Sequence, residues 1–128
     1  MGINFFISTK VLKLAYIWNE RMVFVSKYIV PKGFRGITLY PFIFLREAKD
    51  KRNAILVYHE RIHLRQQLEL LIIPFYILYV LEWVVRLCYY RNRNKAYLNL
   101  SFEREAYQNE SDFTYLKKRR LFQFLRYM

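Results

Sequence analysis

Two histidines four residues apart, with a glutamate directly after the first, are the residues of this sequence best suited to chemistry. They are His59, Glu60 and His63, in the string His-Glu-Arg-Ile-His, and the chain has no other histidine. In an α-helix, residues i and i+4 lie on one face, so both imidazoles can reach one metal ion. A carboxylate at the edge of that face can hold a water molecule beside the metal. The spacing therefore predicts a hydrolytic metal site.

A third ligand must come from elsewhere, because a hydrolytic zinc site uses three protein ligands and one open position for water. Histidine is exhausted, and Cys88, the one cysteine, is poorly placed in an apolar helical segment. A carboxylate is therefore expected. The acidic cluster in the last predicted helix contains Glu103, Glu105, Glu110 and Asp112. Helical spacing puts Glu103 and Glu105 on different faces, so only one of them can point at the metal.

Together these motifs resemble the gluzincin family of zinc metallopeptidases. In that family a helical glutamate follows the His-Glu-x-x-His helix some tens of residues later. The string Phe-Glu-x-x-Ala at 102–106 is similar to the Glu-x-x-Ala segment of mini-gluzincins and HtpX-type peptidases. The resemblance implies that His59, His63 and Glu103 bind Zn²⁺ and that Glu60 is the general base.

The resemblance covers residues 37–112 and includes one departure from the family pattern. Glu105 stays the second choice for the third ligand. The family often has Asp after the Ala, hydrogen-bonded to a ligating histidine, and this chain has Tyr107 there. Tyr107 is expected either to take over that hydrogen bond or to approach the substrate oxyanion. Tyr97 and Arg104 are further candidates for stabilising the oxyanion.

Gln66 and Gln67 continue the histidine face one turn further along the helix. Two interpretations stay open for this amide pair. The side chains form a solvated helix surface, or they support a metal ligand or the water by hydrogen bonds.

The elements that must position these residues belong to two compositional halves, which divide at about residue 50. Short runs of β-branched and aromatic residues come first, and helical periodicity follows. The pattern predicts an α+β fold: one mainly helical, zincin-like domain with a small N-terminal antiparallel sheet. Asn53 is the expected N-cap of the first helix. The predicted strands lie within 10–45, the helices at 53–73, 74–90 and 101–115, and a basic amphipathic tail follows.

Residues 37–45 read as a strand with Pro41 in the middle, after a first strand at 22–30. As one strand of period 2, this segment puts Ile37 and Ile43 on the same face. Proline cannot donate to a strand ladder, so an edge strand or two short pieces are expected. The resemblance implies that such an edge strand binds peptide substrate as an added strand, a general mode of peptide recognition.

The apolar segment 70–81 is shorter than the roughly 20 residues needed to span a bilayer. Extending it to 68–90 includes Glu82 and Arg86, which are costly at mid-bilayer. We expect a core helix first, a membrane-surface helix second and a spanning helix last. Tyrosine, tryptophan and arginine near the segment's ends are typical of membrane contact.

The composition excludes several classes of protein. The chain has 128 residues, 55% hydrophobic residues and three glycines, which excludes a disordered or collagen-like chain. A single cysteine excludes an intrachain disulfide. The first residues do not resemble a signal peptide, so a cytoplasmic location, or one at the inner face of the membrane, is expected. The net charge of +12 attracts polyanions, including anionic membrane surfaces.

The sequence therefore predicts a zinc-dependent metallopeptidase acting on a peptide or protein substrate. Glu60 accepts the water's proton and passes it to the leaving amine. The alternative is a non-catalytic basic membrane-surface protein with a structural or relic metal site. A nucleic-acid role would rest on the basic run 117–120 alone, without a recognisable reading motif, so no specific nucleic-acid partner is expected.

Overall fold

The computed structural model describes residues 22–128, so the expectation for residues 10–19 lies outside the described residues. The α+β, mainly helical architecture is confirmed. In the described part of the chain, 3-10 segments lie at Ala48–Arg52 and Gln123–Tyr127, and the regular elements are β1 (Val23–Val25), β2 (Gly36–Leu39), β3 (Phe42–Leu45), α1 (Ala54–Glu69), α2 (Ile73–Tyr90), α3 (Arg93–Leu98), α4 (Ser101–Asn109) and α5 (Tyr115–Lys118).

The sheet is mixed, so the prediction of an antiparallel sheet was wrong for one of its two strand pairs. The strand order is β1-β3-β2; β2 and β3 are antiparallel, whereas β1 runs parallel to β3. The chain reverses direction between β1 and β2, so β1 and β3 point the same way. β1 is also shorter than predicted, because Ser26 Oγ accepts the amides of Tyr28 and Ile29 and forms a turn.

The segment predicted as one interrupted strand forms a hairpin, which confirms the alternative of two short pieces. The chain turns at the cis peptide bond between Tyr40 and Pro41. β2 lies at the edge of the sheet and β3 at its centre. The turn overturns the single-strand face assignment, because Thr38, and not Ile37, pairs with Ile43.

α1 begins as predicted and ends earlier. Asn53 caps it by accepting the amide of Leu56 (3.1 Å). The helix stops at Glu69, because Leu71 and Ile72 have positive φ angles and reverse the backbone. The predicted end at residue 73 was therefore wrong, and the segment with Pro74 forms the first turn of α2.

The second half of the chain contains shorter helices than predicted. The stretch between the helices predicted for 74–90 and 101–115 contains the extra helix α3, because Asn92 caps it by accepting the amide of Lys95. The helix predicted for 101–115 ends at Asn109. Asp112 accepts the amide and hydroxyl of Thr114, which forms a turn before α5.

α1 contacts both the sheet and α4, and two of the three apolar clusters include it. The first joins α1 to α4 and α5, the second joins it to the sheet, and the third joins α2 to α4 and the C-terminal segment. Their buried members are Tyr58, Ile62, Ala106 and Tyr115; Ile43, Leu45 and Leu64; and Phe75, Phe102 and Phe124.

α2 is the one helix in the described part that is long and apolar enough to cross a membrane by length and composition. Only 6% of its residues are buried in the protein. The expectation of a core helix was therefore wrong. Phe75 is its one buried residue, and most of its apolar side chains are exposed to solvent.

The basic tail that follows the predicted helices is anchored by a buried arginine. The Arg119 side chain is 1% exposed and binds the carboxylates of Glu69 and Glu105. Both contacts use two guanidinium nitrogens, at 2.8–3.0 Å. The tail is thereby tied to the end of α1 and to α4.

We expect Arg119→Ala to lower the free energy of unfolding by about 3–5 kcal/mol, because it leaves two buried carboxylates uncompensated. The matched control is Arg120→Ala, which removes an exposed arginine and is expected to change it by less than about 0.5 kcal/mol. Chemical denaturation followed by circular dichroism measures both. Equal stability of the two variants would contradict the role given to Arg119.

Candidate metal centre

Three buried donor atoms converge between α1 and α4. The Nε2 atoms of His59 and His63 lie 3.2 Å apart, and each lies 3.2 Å from Oε2 of Glu103. The three residues are 3–6% exposed. The i, i+4 spacing places the imidazoles on one face of α1, and α4 packs across that face with Glu103 in its first turn. This cluster could hold a metal ion.

The second oxygen of the Glu103 carboxylate is held by a residue of α2. Tyr79 OH donates to Oε1 of Glu103 at 2.9 Å. Oε2 faces both imidazoles, and Oε1 also lies 3.2 Å from Nε2 of His63. Burial and the adjacent Glu103 carboxylate both raise the pKa of Tyr79, so the phenol stays a hydrogen-bond donor at neutral pH.

Both histidine rings are oriented by acceptors on their far nitrogens. Nδ1 of His59 lies 2.9 Å from Oε2 of Glu110, and Nδ1 of His63 lies 2.8 Å from Oε1 of Gln66. The Gln66 amide is itself oriented, because its Nε2 donates to the carbonyl of Phe102 (3.1 Å). Each Nδ1 therefore carries the proton, and each Nε2 turns a lone pair towards the centre of the cluster.

This donor set requires a positive charge at its centre, because two lone pairs and a carboxylate oxygen repel one another there. Without a cation, a proton takes that role. Burial lowers the pKa of His63, but the Glu103 carboxylate more than offsets it and raises the pKa to about 9. Burial alone would raise the pKa of Glu103, yet the two imidazoles hold it well below its usual range. A bound metal ion would replace that proton.

Glu60 lies beside this cluster and belongs to a different hydrogen-bond network. Its Oε2 accepts from Thr38 Oγ1 at 2.6 Å, and its carboxylate is buried. Burial raises the pKa of Glu60, and the nearby imidazoles of His63 and His59 only partly offset this. A carboxyl group with a raised pKa is well suited to exchange protons near neutral pH.

The edge strand β2 runs past Glu60 at close range. A Cβ atom at Gly36 would lie 3.1 Å from Glu60 Oε1, so only glycine fits there without displacement. The carbonyl of Arg35 accepts the amide of Arg46, so the backbone groups of residue 35 point towards β3. Backbone groups alternate in direction along a strand, so those of Gly36 and Thr38 point away from β3, towards the free edge.

Gln67 pairs with one end of this edge, and its contacts decide between the two interpretations left open for the glutamines. Its Nε2 donates to the carbonyl of Thr38 (2.8 Å), and the amide of Tyr40 donates to its Oε1 (2.9 Å). The side-chain amide thus pairs with β2 as a neighbouring strand would. Gln66 supports a histidine and Gln67 supports the strand, so neither is a solvated surface residue.

The other predicted residues lie at different distances from the centre. Tyr107 is half-exposed, with its ring 4.5 Å from that of His59, and a hydrogen bond joins it to Tyr97. Arg104 instead binds Asn99 and the Tyr127 carbonyl. Glu105 is not placed to be the third ligand, since its carboxylate is bound by Arg119 on another face of α4.

Sequence reasoning named Glu110 only as a member of the acidic cluster and did not foresee its supporting role or that of Tyr79. Glu110 lies seven positions after Glu103 and therefore on the same helix face. This spacing indicated that a second carboxylate could reach His59, and Glu110 contacts Nδ1 of that residue. The hydrogen bond to His59 that was one of the two roles expected of Tyr107 is therefore made by Glu110. Tyr79 gave no signal, because its contact depends on how α2 packs against α4.

Comparisons with protein-family models, with curated proteins and with solved structures found no match to this chain. The metal centre therefore rests on its own geometry.

We expect Glu103→Gln to weaken metal binding by more than about 100-fold, since loss of a ligand exceeds the loss of an outer partner. The matched variant Glu105→Gln, two residues away and equally buried, should keep the metal and lose stability. Elemental analysis after dialysis against a weak chelator distinguishes them. Metal retention in Glu103→Gln, or metal loss in Glu105→Gln alone, would contradict the assignment.

Proposed function

We propose that this protein is a zinc-dependent metallopeptidase of the gluzincin type. The observation that carries the proposal is the convergence of His59, His63 and Glu103 beside a buried Glu60 that is not one of the three donors. A purely structural zinc site uses all its ligand positions, whereas three ligands beside a base leave one position for water.

The distances support zinc as the metal. At metal–ligand bonds of about 2.0–2.1 Å, two ligands of a tetrahedral ion lie about 3.3–3.4 Å apart. The three donor atoms of the cluster are separated by 3.2 Å. Two neutral imidazoles and one carboxylate are also a ligand set used by catalytic zinc sites.

The roles of the residues follow from their contacts. Zinc, when bound, supplies a Lewis acid that polarises the scissile carbonyl and acidifies water. Glu60 accepts the proton of the attacking water and delivers it to the leaving amine. Its raised pKa favours the delivery, and the hydrogen bond from Thr38 holds the carboxylate in place. Tyr107, half-exposed beside His59, is the residue we propose to stabilise the oxyanion, oriented by Tyr97.

We propose that the substrate peptide binds along the free edge of β2. The backbone of Gly36 and the amide of Thr38 face outwards next to Glu60, and such an edge can accept an added strand. The Thr38 carbonyl is already taken by Gln67, so the strand addition ends there. The accessible edge is therefore short, which favours extended peptides over large folded substrates.

Glu60→Gln is expected to keep near-stoichiometric zinc and to abolish cleavage of a random peptide mixture, with a loss of at least about 100-fold. Glutamine preserves the size of the side chain and its contact with Thr38 but cannot carry the proton. Mass spectrometry of the products and elemental analysis of the same sample measure both properties.

The matched control is Glu47→Gln, which neutralises a carboxylate paired with Lys49 at the surface and should leave cleavage unchanged. Undiminished cleavage by Glu60→Gln would overturn the proposed mechanism. Stoichiometric zinc in a wild-type protein that cleaves nothing would favour the alternative, a protein whose metal site is structural or a relic.

A further inference from the structure

The helix α2 has two faces of opposite character, and the usual arrangement is inverted. Its inner face carries the polar groups: Tyr79 binds Glu103, and Glu82 accepts the amide and hydroxyl of Ser101. Arg86 pairs with Glu82 on the same side. The two charged residues of α2 therefore both point towards the protein.

The outer face of α2 is entirely apolar and uncovered. It extends over about half of the helix circumference at 100° per residue. Ile77, Leu81 and Val85 are 55%, 57% and 66% exposed. The exposed residues on this face are Ile73, Pro74, Ile77, Leu78, Val80, Leu81, Val84, Val85, Cys88 and Tyr89.

Exposed cations flank this face at both ends. At the C-terminal end, Arg91, Arg93 and Lys95 follow the helix directly and are all exposed. Near the N-terminal end, the exposed Arg65, in the last turns of α1, and the exposed Arg120 line an open depression with Leu68, Leu121 and the paired Glu69 and Arg119. An apolar helix about 27 Å long with positive charge at both ends complements the surface of an anionic bilayer.

We propose that α2 lies in the plane of an anionic phospholipid membrane surface, with its outer face inserted at the boundary of headgroups and acyl chains. The lipids are recognised by their negative headgroups through the flanking cations, and the apolar face supplies the insertion.

An in-plane position fits the structure better than a spanning one. α2 contacts α1 and α3, and on its inner face Tyr79 and Glu82 bind Glu103 and Ser101 of α4. A spanning helix would carry α4 and the buried Arg119 cluster into the hydrocarbon, where charged groups are costly. An in-plane helix leaves that side of the protein in water.

Charge also favours lipid over a second copy of this chain as the occupant. Because both ends of the face are cationic, either parallel or antiparallel pairing of two copies would bring cations next to cations. The net charge of +12 adds to this repulsion. An anionic surface neutralises the same charges.

The native cysteine provides the probe for the test. Cys88 is the one cysteine of the chain, is exposed and lies on the outer face. The full chain, zinc-loaded and labelled at Cys88 with an environment-sensitive fluorophore, is mixed with vesicles of phosphatidylcholine with or without phosphatidylserine. We expect a blue-shifted emission and co-flotation with the anionic vesicles, with affinity at least about tenfold weaker for the neutral ones.

Two variants with equal charge changes make the test specific. Leu81→Glu/Val85→Glu alters the outer face and should weaken vesicle binding more than about tenfold, because charges would enter the acyl region. Tyr28→Glu/Ile29→Glu changes two exposed apolar residues in the loop after β1 and should bind as the wild type does. Zinc content is measured in parallel and should be unchanged in both.

Several results would overturn the proposal. They are binding by Leu81→Glu/Val85→Glu equal to that of the wild type, equal loss in the Tyr28→Glu/Ile29→Glu control, and no flotation of the wild type at low salt. A lipid-independent dimer that Leu81→Glu/Val85→Glu dissociates would assign the face to a second copy. Because zinc content is read separately, failure here leaves the peptidase proposal to its own test.

Discussion

The arrangement of the protein depends on one electrostatic constraint, the convergence of two imidazole lone pairs and a carboxylate oxygen in a buried place. His59, His63 and Glu103 approach one another to 3.2 Å, where only a positive charge makes their arrangement favourable. A proton held on His63 satisfies this constraint in part, and a divalent cation satisfies it for all three groups.

This constraint explains why so many polar contacts come from different elements. Glu110 of the α4 C-terminus and Gln66 of α1 hold the histidine rings, and Tyr79 of α2 holds Glu103. Gln67 holds the edge strand that in turn holds Glu60 through Thr38. Each contact fixes an orientation that a metal-binding group would otherwise lose to rotamer freedom. The polar side of α2 contacts the metal-centre residue Glu103 through Tyr79, and its apolar side is exposed.

Much of the centre could be predicted because its spacing is local. The i, i+4 histidines require only that their segment be helical. Glu103 was expected from the family resemblance, with Glu105 left as the second choice, and the structure brings Glu103 to the two histidines. Features set by tertiary packing could not be predicted: the parallel pairing of β1 with β3, the burial of Arg119 in a run of basic residues, and the contact of Tyr79. In each case the local pattern suits several arrangements, and contacts with distant elements decide among them.

The proposed centre holds a zinc ion on two imidazoles and one carboxylate with a fourth position for water, and X-ray absorption spectroscopy of the zinc-loaded protein reads this coordination. We predict four nitrogen or oxygen neighbours at about 2.0–2.1 Å, with outer-shell scattering from two imidazole rings. Sulfur in the first shell, fewer than two imidazoles, or six-fold coordination would contradict it.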